Sequence, residues 1–183
     1  MNNLIKTYFK TLKTEDPELR RQAYVEILAV SNEQVDWAYD VWDEMKSNLS
    51  HKNNHMRSIA SQILCNLAKS DPEKRILKDF PELLAVTKDK RFVTARHCLQ
   101  SLWKIGLAGN EQREILLKGL DNRFRECIIE KNCTLIRYDI LVGLRKLFDS
   151  SKDEDVKQMA LAWIELEQDE KYKKKYMTLW QKV

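Results

Sequence analysis

A charged segment near the start of the chain recurs near its end, and this repetition limits the possible folds more than any other feature. The first copy runs from Asp16 to Leu28 and the second from Asp153 to Ile164. Each copy has an acidic residue, a basic residue four positions later, an alanine three positions after that, and then apolar residues. Such spacing places these side chains on one side of a helix. Both copies are therefore predicted to be helices with a common packing surface.

Further copies of the pattern extend the repeat through the chain. Successive anchors are 37, 35 and 45 residues apart, and they are Arg20/Ala23, Arg57/Ala60, Phe92/Ala95 and Arg137/Ile140. A period near 40 residues, with one helix pair per period, is typical of helical solenoids. One helix pair cannot bury its apolar face alone, so each pair needs neighbours. We therefore expect about five stacked antiparallel helix pairs.

The composition agrees with an all-α chain. Four glycines and three prolines in 183 residues are too few for the many tight turns of an all-β fold. Apolar residues make up 43% and charged residues 33%, as in soluble, folded, helix-rich proteins. No segment alternates with period two for long enough to predict a strand. The length predicts a single domain, residues 1–183.

Two predicted helices in the second half of the chain have boundaries that the structure can test. Apolar residues from Phe92 to Ile105 predict one helix, closed by Gly106 and Gly109. The last segment, 169–183, places Tyr172, Tyr176, Leu179, Trp180 and Val183 on one stripe. We expect it to be a C-terminal capping helix that covers the apolar end of the solenoid, because terminal repeats need a polar outer face.

The Asp16–Ala23 segment resembles the start of the inner helix of a HEAT repeat, in the armadillo/HEAT class of α-solenoids. Asp153–Ala160 is similar to it, and Asn53–Ala60 is a weaker match. The resemblance implies a right-handed α-solenoid and says little about function. The chain departs from the family pattern in two places. Phe92 replaces the basic residue of the third copy, and the last copy follows Arg137 by only 20 residues at Lys157.

The basic residues of the repeats have two interpretations. Arg20, Arg57, Arg137 and Lys157 would form a row along the solenoid. In HEAT-like repeats such residues commonly pair with an acid or amide of the turn, and Asp16, Asn53 and Asp153 stand four residues before three of them. A structural ladder of this kind is the first prediction. A row that faces a ligand is the alternative.

Two further surfaces are candidate partner-binding sites. Lys88, Lys90, Arg91, Arg96 and His97 lie near the start of the third inner helix, with Arg96 and His97 off the apolar stripe. They are predicted to be a solvated face or a contact for phosphate or an acidic partner. The second surface is an acidic helix. Trp42 is expected in its core, whereas Trp37, beside Asp36 and Asp40, is either core or an exposed hot spot. The partner-binding candidates are Arg57, Arg91, Arg96, His97, Trp37 and Asp40.

Motifs for catalysis, cofactors and metals are absent from the sequence. It has no glycine-rich phosphate loop, no H-E-x-x-H and no nucleophile elbow. His51 and His55 are four residues apart but fall in a polar turn, which does not predict a metal site. Cys65, Cys98, Cys127 and Cys133 lack paired C-x-x-C spacing and are expected to be free thiols. No catalytic residue, metal, cofactor or small-molecule substrate is predicted.

The sequence predicts neither export nor membrane insertion. The longest charge-free run, Ser58–Ala68, is too short to span a bilayer, and the N-terminus lacks an apolar signal segment. We therefore expect a cytoplasmic protein. The lysine-rich last helix would offer an alternative contact for an anionic membrane or nucleic acid, although a capping role is the first interpretation.

Two functions follow as hypotheses. The first is a non-enzymatic HEAT-like scaffold that binds a partner protein on its concave face. The second is a DNA-binding protein similar to the HEAT-like DNA alkylation-repair glycosylases, which cradle duplex DNA on a basic concave face. No residue of that family's catalytic segment can be matched to this chain. A net charge of +4 is a mild bias for a nucleic-acid protein.

Overall fold

The computed structural model describes residues 1–181 and confirms the all-α prediction. No strand is present in this part of the chain, and most residues of the predicted apolar stripes lie on helices or short 3-10 turns. The ten α-helices are α1 (Asn3–Thr11), α2 (Pro17–Ser31), α3 (Ala38–Asn48), α4 (Asn54–Leu67), α5 (Arg75–Ala85), α6 (Phe92–Leu99), α7 (Asn110–Glu126), α8 (Cys133–Ser151), α9 (Glu154–Glu165) and α10 (Glu170–Trp180). Within residues 1–181 none of these helices has the length and apolar character needed to cross a bilayer.

The chain divides into two compact units, Met1–Cys98 and Leu99–Val183. In the first unit α1 packs on α2, α3 packs on α4 and on α5, and α2 packs on α4. Apolar side chains from these helices fill its core, with Ile27, Trp42, Ile63 and Leu83 fully buried. Contacts thus join α1 to α2 and α3 to α4, which are neighbours in sequence, and α2 to α4, which are not.

In the second unit α8 is the central helix. It packs against α7, α9, α10 and a 3-10 helix, Leu102–Leu107. Helix α10 lies on α8 and α9, with Trp180 against Phe148 at a ring-centroid distance of 6.0 Å and Tyr176 fully buried. The predicted aromatic stripe is therefore a packing surface as far as Trp180, and Val183 lies outside the described residues.

The predicted helix Phe92–Ile105 is wrong at its C-terminal end. Helix α6 ends at Leu99, and Leu102–Leu107 forms a 3-10 helix. Gly106 is not a helix stop, because it lies inside this 3-10 helix against α7 and α8. A Cβ atom at Gly106 would come within 2.9 Å of a methyl group of Leu147. The backbone at Gly106 lies so close to the side chains of α7 and α8 that a residue with a Cβ atom would collide with them. A sequence pattern does not show such an approach.

The predicted ladder of pairs four residues apart is also wrong. Asp16, Asn53 and Asp153 are N-caps whose side chains accept the first backbone N–H groups of α2, α4 and α9. These oxygens satisfy donors that have no partner within the helix, and none of the three side chains pairs with the basic residue four positions later. Asp153 also accepts from Arg113, at 2.7 Å. The basic side chains have other partners. Arg20 donates to the carbonyl of Thr14. Three others pair with carboxylates: Arg57 with Asp89, Arg137 with Glu167, and Lys157 with Glu154.

Candidate functional site

A groove in the first unit lies across the first turns of α2 and α4. It has a volume of about 290 Å³, and its lining residues are Pro17, Arg20, Arg21, Tyr24, His55, Ser58, Ile59 and His97. A second hollow adjoins it through the shared residue His55, and its other lining residues are Asn54, Lys90, Arg91, Phe92 and Val93. We call the two together the basic groove. Helices α2, α4 and α6 supply most of its lining.

Hydrogen bonds between α4 and α2 and between α4 and α6 hold the lining of the basic groove in place. The Tyr24 hydroxyl donates to the Gln62 side-chain oxygen at 2.8 Å. The Ser58 hydroxyl lies 2.9 Å from Nδ1 of His97. Burial raises the pKa of the Tyr24 hydroxyl, against the hydrogen bond to Gln62, so Tyr24 is a neutral donor at physiological pH. These contacts hold Tyr24 of α2 and His97 of α6 against side chains of α4.

The basic groove has a surplus of positive charge. Lys90 and Arg91 are exposed, and neither forms a salt bridge with any residue of 1–181. The acidic residues next to the lining cations are already engaged: Asp89, which precedes Lys90, pairs with Arg57, and Glu18 pairs with Arg21 at 2.7 Å. Apolar and aromatic surface accompanies the charge, since Val93 is 64% exposed and Phe92 is partly exposed. The groove can therefore bind a ligand that is both acidic and apolar.

The structure places the predicted partner-binding residues in different environments. Arg91 and His97 line the basic groove, and Arg96 is half-buried on α6. Trp37 is 6% exposed and packs edge-on against Phe9 at 5.8 Å, so its indole belongs to the core. Asp40, on α3, pairs with the amino group of Met1 at 2.8 Å. Only Arg91 and His97 are thus brought together on one surface.

Arg57 is a structural residue at the edge of this region. Its side chain is 12% exposed and forms a two-pronged ion pair with Asp89, in which Nη2 donates to Oδ1 at 2.9 Å. Its Nη1 also donates to the carbonyl of His51 at 2.7 Å. Every nitrogen of the guanidinium thus has a protein partner. The pair ties the first turn of α4 to the loop that carries Lys90 and Arg91.

This ion pair predicts a specific loss of stability in acid. The hydrogen bond from Arg57 lowers the pKa of Asp89 against the opposing effect of burial. A carboxylate with a lowered pKa in the folded state stabilises the protein at neutral pH, and this contribution is lost as the pH falls through that pKa. We expect Asp89→Asn to lower the free energy of unfolding at neutral pH and to flatten its decline in acid. Urea unfolding at a series of pH values measures both.

Asp43→Asn is the matched control for that prediction. Asp43 is 89% exposed at its side chain and lies 3.7 Å from Arg75, so its replacement should leave the pH profile close to that of the wild type. If the free energy of unfolding of Asp89→Asn declines in acid as steeply as that of the wild type, the Arg57–Asp89 pair does not contribute to the pH dependence.

Several residues of the basic groove were not predicted as site residues. Tyr24, His55, Ser58 and Ile59 belong to helices that the repeat pattern identified, but their side chains meet only after α2 and α4 pack together. One sequence feature could have indicated part of the surface. Phe92 stands where the repeat has a basic residue, and it lines the groove.

The cysteine and histidine side chains of residues 1–181 do not form a metal centre. Within residues 1–181 no group of three or more histidine, cysteine, aspartate or glutamate side chains is arranged to hold an ion. Cys65 and Cys98 are fully buried in the first unit, as predicted for small core residues. In the second unit Cys127 and Cys133 are adjacent, which the spacing did not predict.

Comparison with known proteins gives no assignment. No protein-family model matches the sequence, and no curated protein matches it significantly.

Proposed function

We propose that this chain is a non-enzymatic helical-repeat scaffold of the HEAT-like kind, and that its basic groove binds an acidic, partly apolar segment of a partner protein. The observation that carries the proposal is the basic groove itself. Lys90 and Arg91, which form no salt bridge with any residue of 1–181, lie beside the exposed side chain of Val93 and the partly exposed side chain of Phe92. Cations mixed with aromatic and apolar surface are typical of protein interfaces.

The repeat architecture is supported by the spacing of contacts within the first unit. Hydrogen bonds join side chains 38 residues apart at Tyr24–Gln62, 39 apart at Ser58–His97 and 37 apart at Trp42–Asp79. In a stack of equivalent helix pairs, neighbouring copies touch at matching positions, so contacts recur at the repeat length. The spacing agrees with the period near 40 residues in the sequence. This spacing supports the proposal that the helices of this unit are stacked repeats.

A peptide fits the basic groove better than a DNA duplex does. Proteins that bind duplex DNA contact many phosphates, and their affinity depends on an extended row of cations. Arg57, which the sequence analysis expected in such a row, forms an ion pair with Asp89, and Arg21 forms one with Glu18. The remaining cations lie within a short, partly apolar hollow. This arrangement favours a side-chain-sized ligand over a phosphate backbone.

Peptide selection tests the proposal directly. The full-length chain is immobilised and used to select from a random peptide display library, and the selected peptides are measured by fluorescence anisotropy. We expect sequences enriched in Asp, Glu and large apolar residues. The double change Lys90→Glu and Arg91→Glu should weaken their binding by roughly tenfold or more, because it places like charges against the ligand.

A charge-matched control distinguishes an effect of the groove residues on affinity from an effect of the protein's net charge. Lys6→Glu with Lys10→Glu changes the same number of charges on α1, which does not line the groove, and should leave affinity within about twofold. A groove variant that binds as tightly as the wild type would refute the proposed site. Tight, steeply salt-dependent binding of a labelled DNA duplex, without peptide binding, would favour the DNA hypothesis instead.

A further inference from the structure

Two cysteine side chains meet at the junction between α7 and α8 in the second unit. Cys127 begins a 3-10 turn, Cys127–Ile129, that ends α7, and Cys133 is the first residue of α8. Their Sγ atoms are 3.1 Å apart, and both are free thiols. A disulfide requires a separation of about 2 Å, so the sulfurs need to approach by roughly 1 Å. Movement of this size is within reach of side-chain rotation.

Buried arginines hold the turn in this arrangement. The side chain of Arg123 is 1% exposed, and its Nη2 donates to Oε2 of Glu130, which lies between the two cysteines, at 3.0 Å. Nε of Arg137 donates to the carbonyl of Phe124 at 3.1 Å, and the Cys127 thiol donates to the same carbonyl at 3.3 Å. The turn is therefore fixed at both ends. Proximity of the sulfurs follows from the packing of α7 and α8 and not from chance encounters of a loose loop.

The two thiols differ in accessibility. Cys127 is fully buried, whereas Cys133 is partly exposed. Burial raises the pKa of the Cys127 thiol to about 12, and Cys133 acts in the same direction. A soluble oxidant therefore reaches Cys133 first. Cys127 is placed to react second, on the same side of the turn.

We propose that Cys127 and Cys133 form a reversible dithiol–disulfide pair that exchanges with low-molecular-weight disulfides. Cys133 loses its proton to solvent, and its thiolate attacks one sulfur of the small disulfide, forms a mixed disulfide and releases one small thiolate, which takes up a proton. Cys127 then loses its proton to solvent, attacks Sγ of Cys133 and releases the second small thiolate. Protein dithiol and small disulfide are thus converted to protein disulfide and two small thiols. The product closes a ring through Ile128 and Ile129, which are 61% and 92% exposed.

Peptide mapping of the full-length chain tests the proposal. The protein is equilibrated with oxidised and reduced glutathione, its remaining thiols are alkylated in acid, and it is digested with trypsin. Cleavage after Arg125, Lys131 and Arg137 separates the two cysteines into peptides 126–131 and 132–137. Oxidised protein should yield these two peptides joined by a disulfide, and dithiothreitol should separate them. We expect the ratio of disulfide to dithiol to be at least tenfold higher for folded protein than for protein in urea.

Variants make the result decisive. Cys127→Ser should stop the reaction at the mixed glutathione disulfide of Cys133, whereas Cys133→Ser should leave Cys127 largely unmodified in the folded protein. Changing Cys65 and Cys98 to Ser together should leave the linked peptides unaffected, because both are buried in the other unit. Equal ratios for folded and unfolded protein would overturn the proposal. So would accumulation of glutathionylated Cys133 in the wild type without linked peptides.

Discussion

Replacing Arg137 with alanine is expected to destabilise the protein by about 3–5 kcal/mol, because it leaves a buried carboxylate without its cation. The side chains of Arg137 and Glu167 are 6% and 5% exposed, and Nη1 lies 3.0 Å from Oε2. The guanidinium also lies over the Phe124 ring, 4.6 Å from its centroid. Alanine therefore removes an ion pair and a cation–π contact at one buried position. Urea unfolding followed by circular dichroism measures the change.

Two further variants identify the cause of that loss. Arg125→Ala removes an exposed pair with Asp121, 2.9 Å apart on one helix, and should cost only about 0.5 kcal/mol or less. Changing Arg137 and Glu167 together to methionine removes both charges and should recover most of the stability, since a buried pair is often replaceable by apolar side chains of similar volume. If the double variant is as unstable as Arg137→Ala, lost packing rather than the stranded carboxylate is responsible.

Replacing Trp42 with alanine is expected to cost about 3–5 kcal/mol through the cavity that it leaves in the first unit. Trp42 is 0% exposed and packs edge-on against Tyr39 with ring centroids 5.9 Å apart. Its Nε1 donates to Asp79 at 2.9 Å, and the same carboxylate lies 2.7 Å from Nζ of Lys46. Truncation therefore removes the largest fully buried side chain and one partner of a buried carboxylate. Thermal and urea unfolding measure the effect.

Trp42→Phe distinguishes the stabilisation that comes from packing of the ring from that of its hydrogen bond to Asp79. Phenylalanine fills much of the site but cannot donate to Asp79, so we expect a cost of about 1–3 kcal/mol. Leu4→Ala is the control for an exposed apolar residue, since Leu4 is 57% exposed, and it should change stability by about 0.5 kcal/mol or less. A loss for Trp42→Ala close to that of Leu4→Ala would contradict the buried position of the indole.

The start of α2 shows how far local patterns predict structure. An aspartate followed by proline is typical of a capped helix start, and the structure has Asp16 as the N-cap and Pro17 as the first helical residue. Trp42 was expected in the core from its place on the apolar stripe and is fully buried. These predictions succeed because capping and helical periodicity depend on residues within a few positions of one another.

Predictions of side-chain partners failed where the partner is distant in sequence. Arg57 was expected to pair four residues back, but Asp89 lies 32 residues ahead. Cys127 and Cys133 are free thiols, as expected, but nothing in the sequence indicated that their sulfurs lie 3.1 Å apart. In each case the partner depends on how two elements pack and how the connection between them turns. Periodicity along one helix carries no information about that geometry.

The sequence by itself determined that the chain is helical, which residues face the core and where several helices begin. Only the tertiary structure decided which basic side chains are ion-paired within the protein and which are exposed. Lys90 and Arg91 are exposed, and they lie beside apolar surface. The tertiary structure also decided that Tyr24, Ser58 and His97, from three different helices, line one groove. The reason is physical. Helix formation and burial follow from local hydrogen bonding and apolar spacing, whereas a binding surface depends on the register in which separate helices pack.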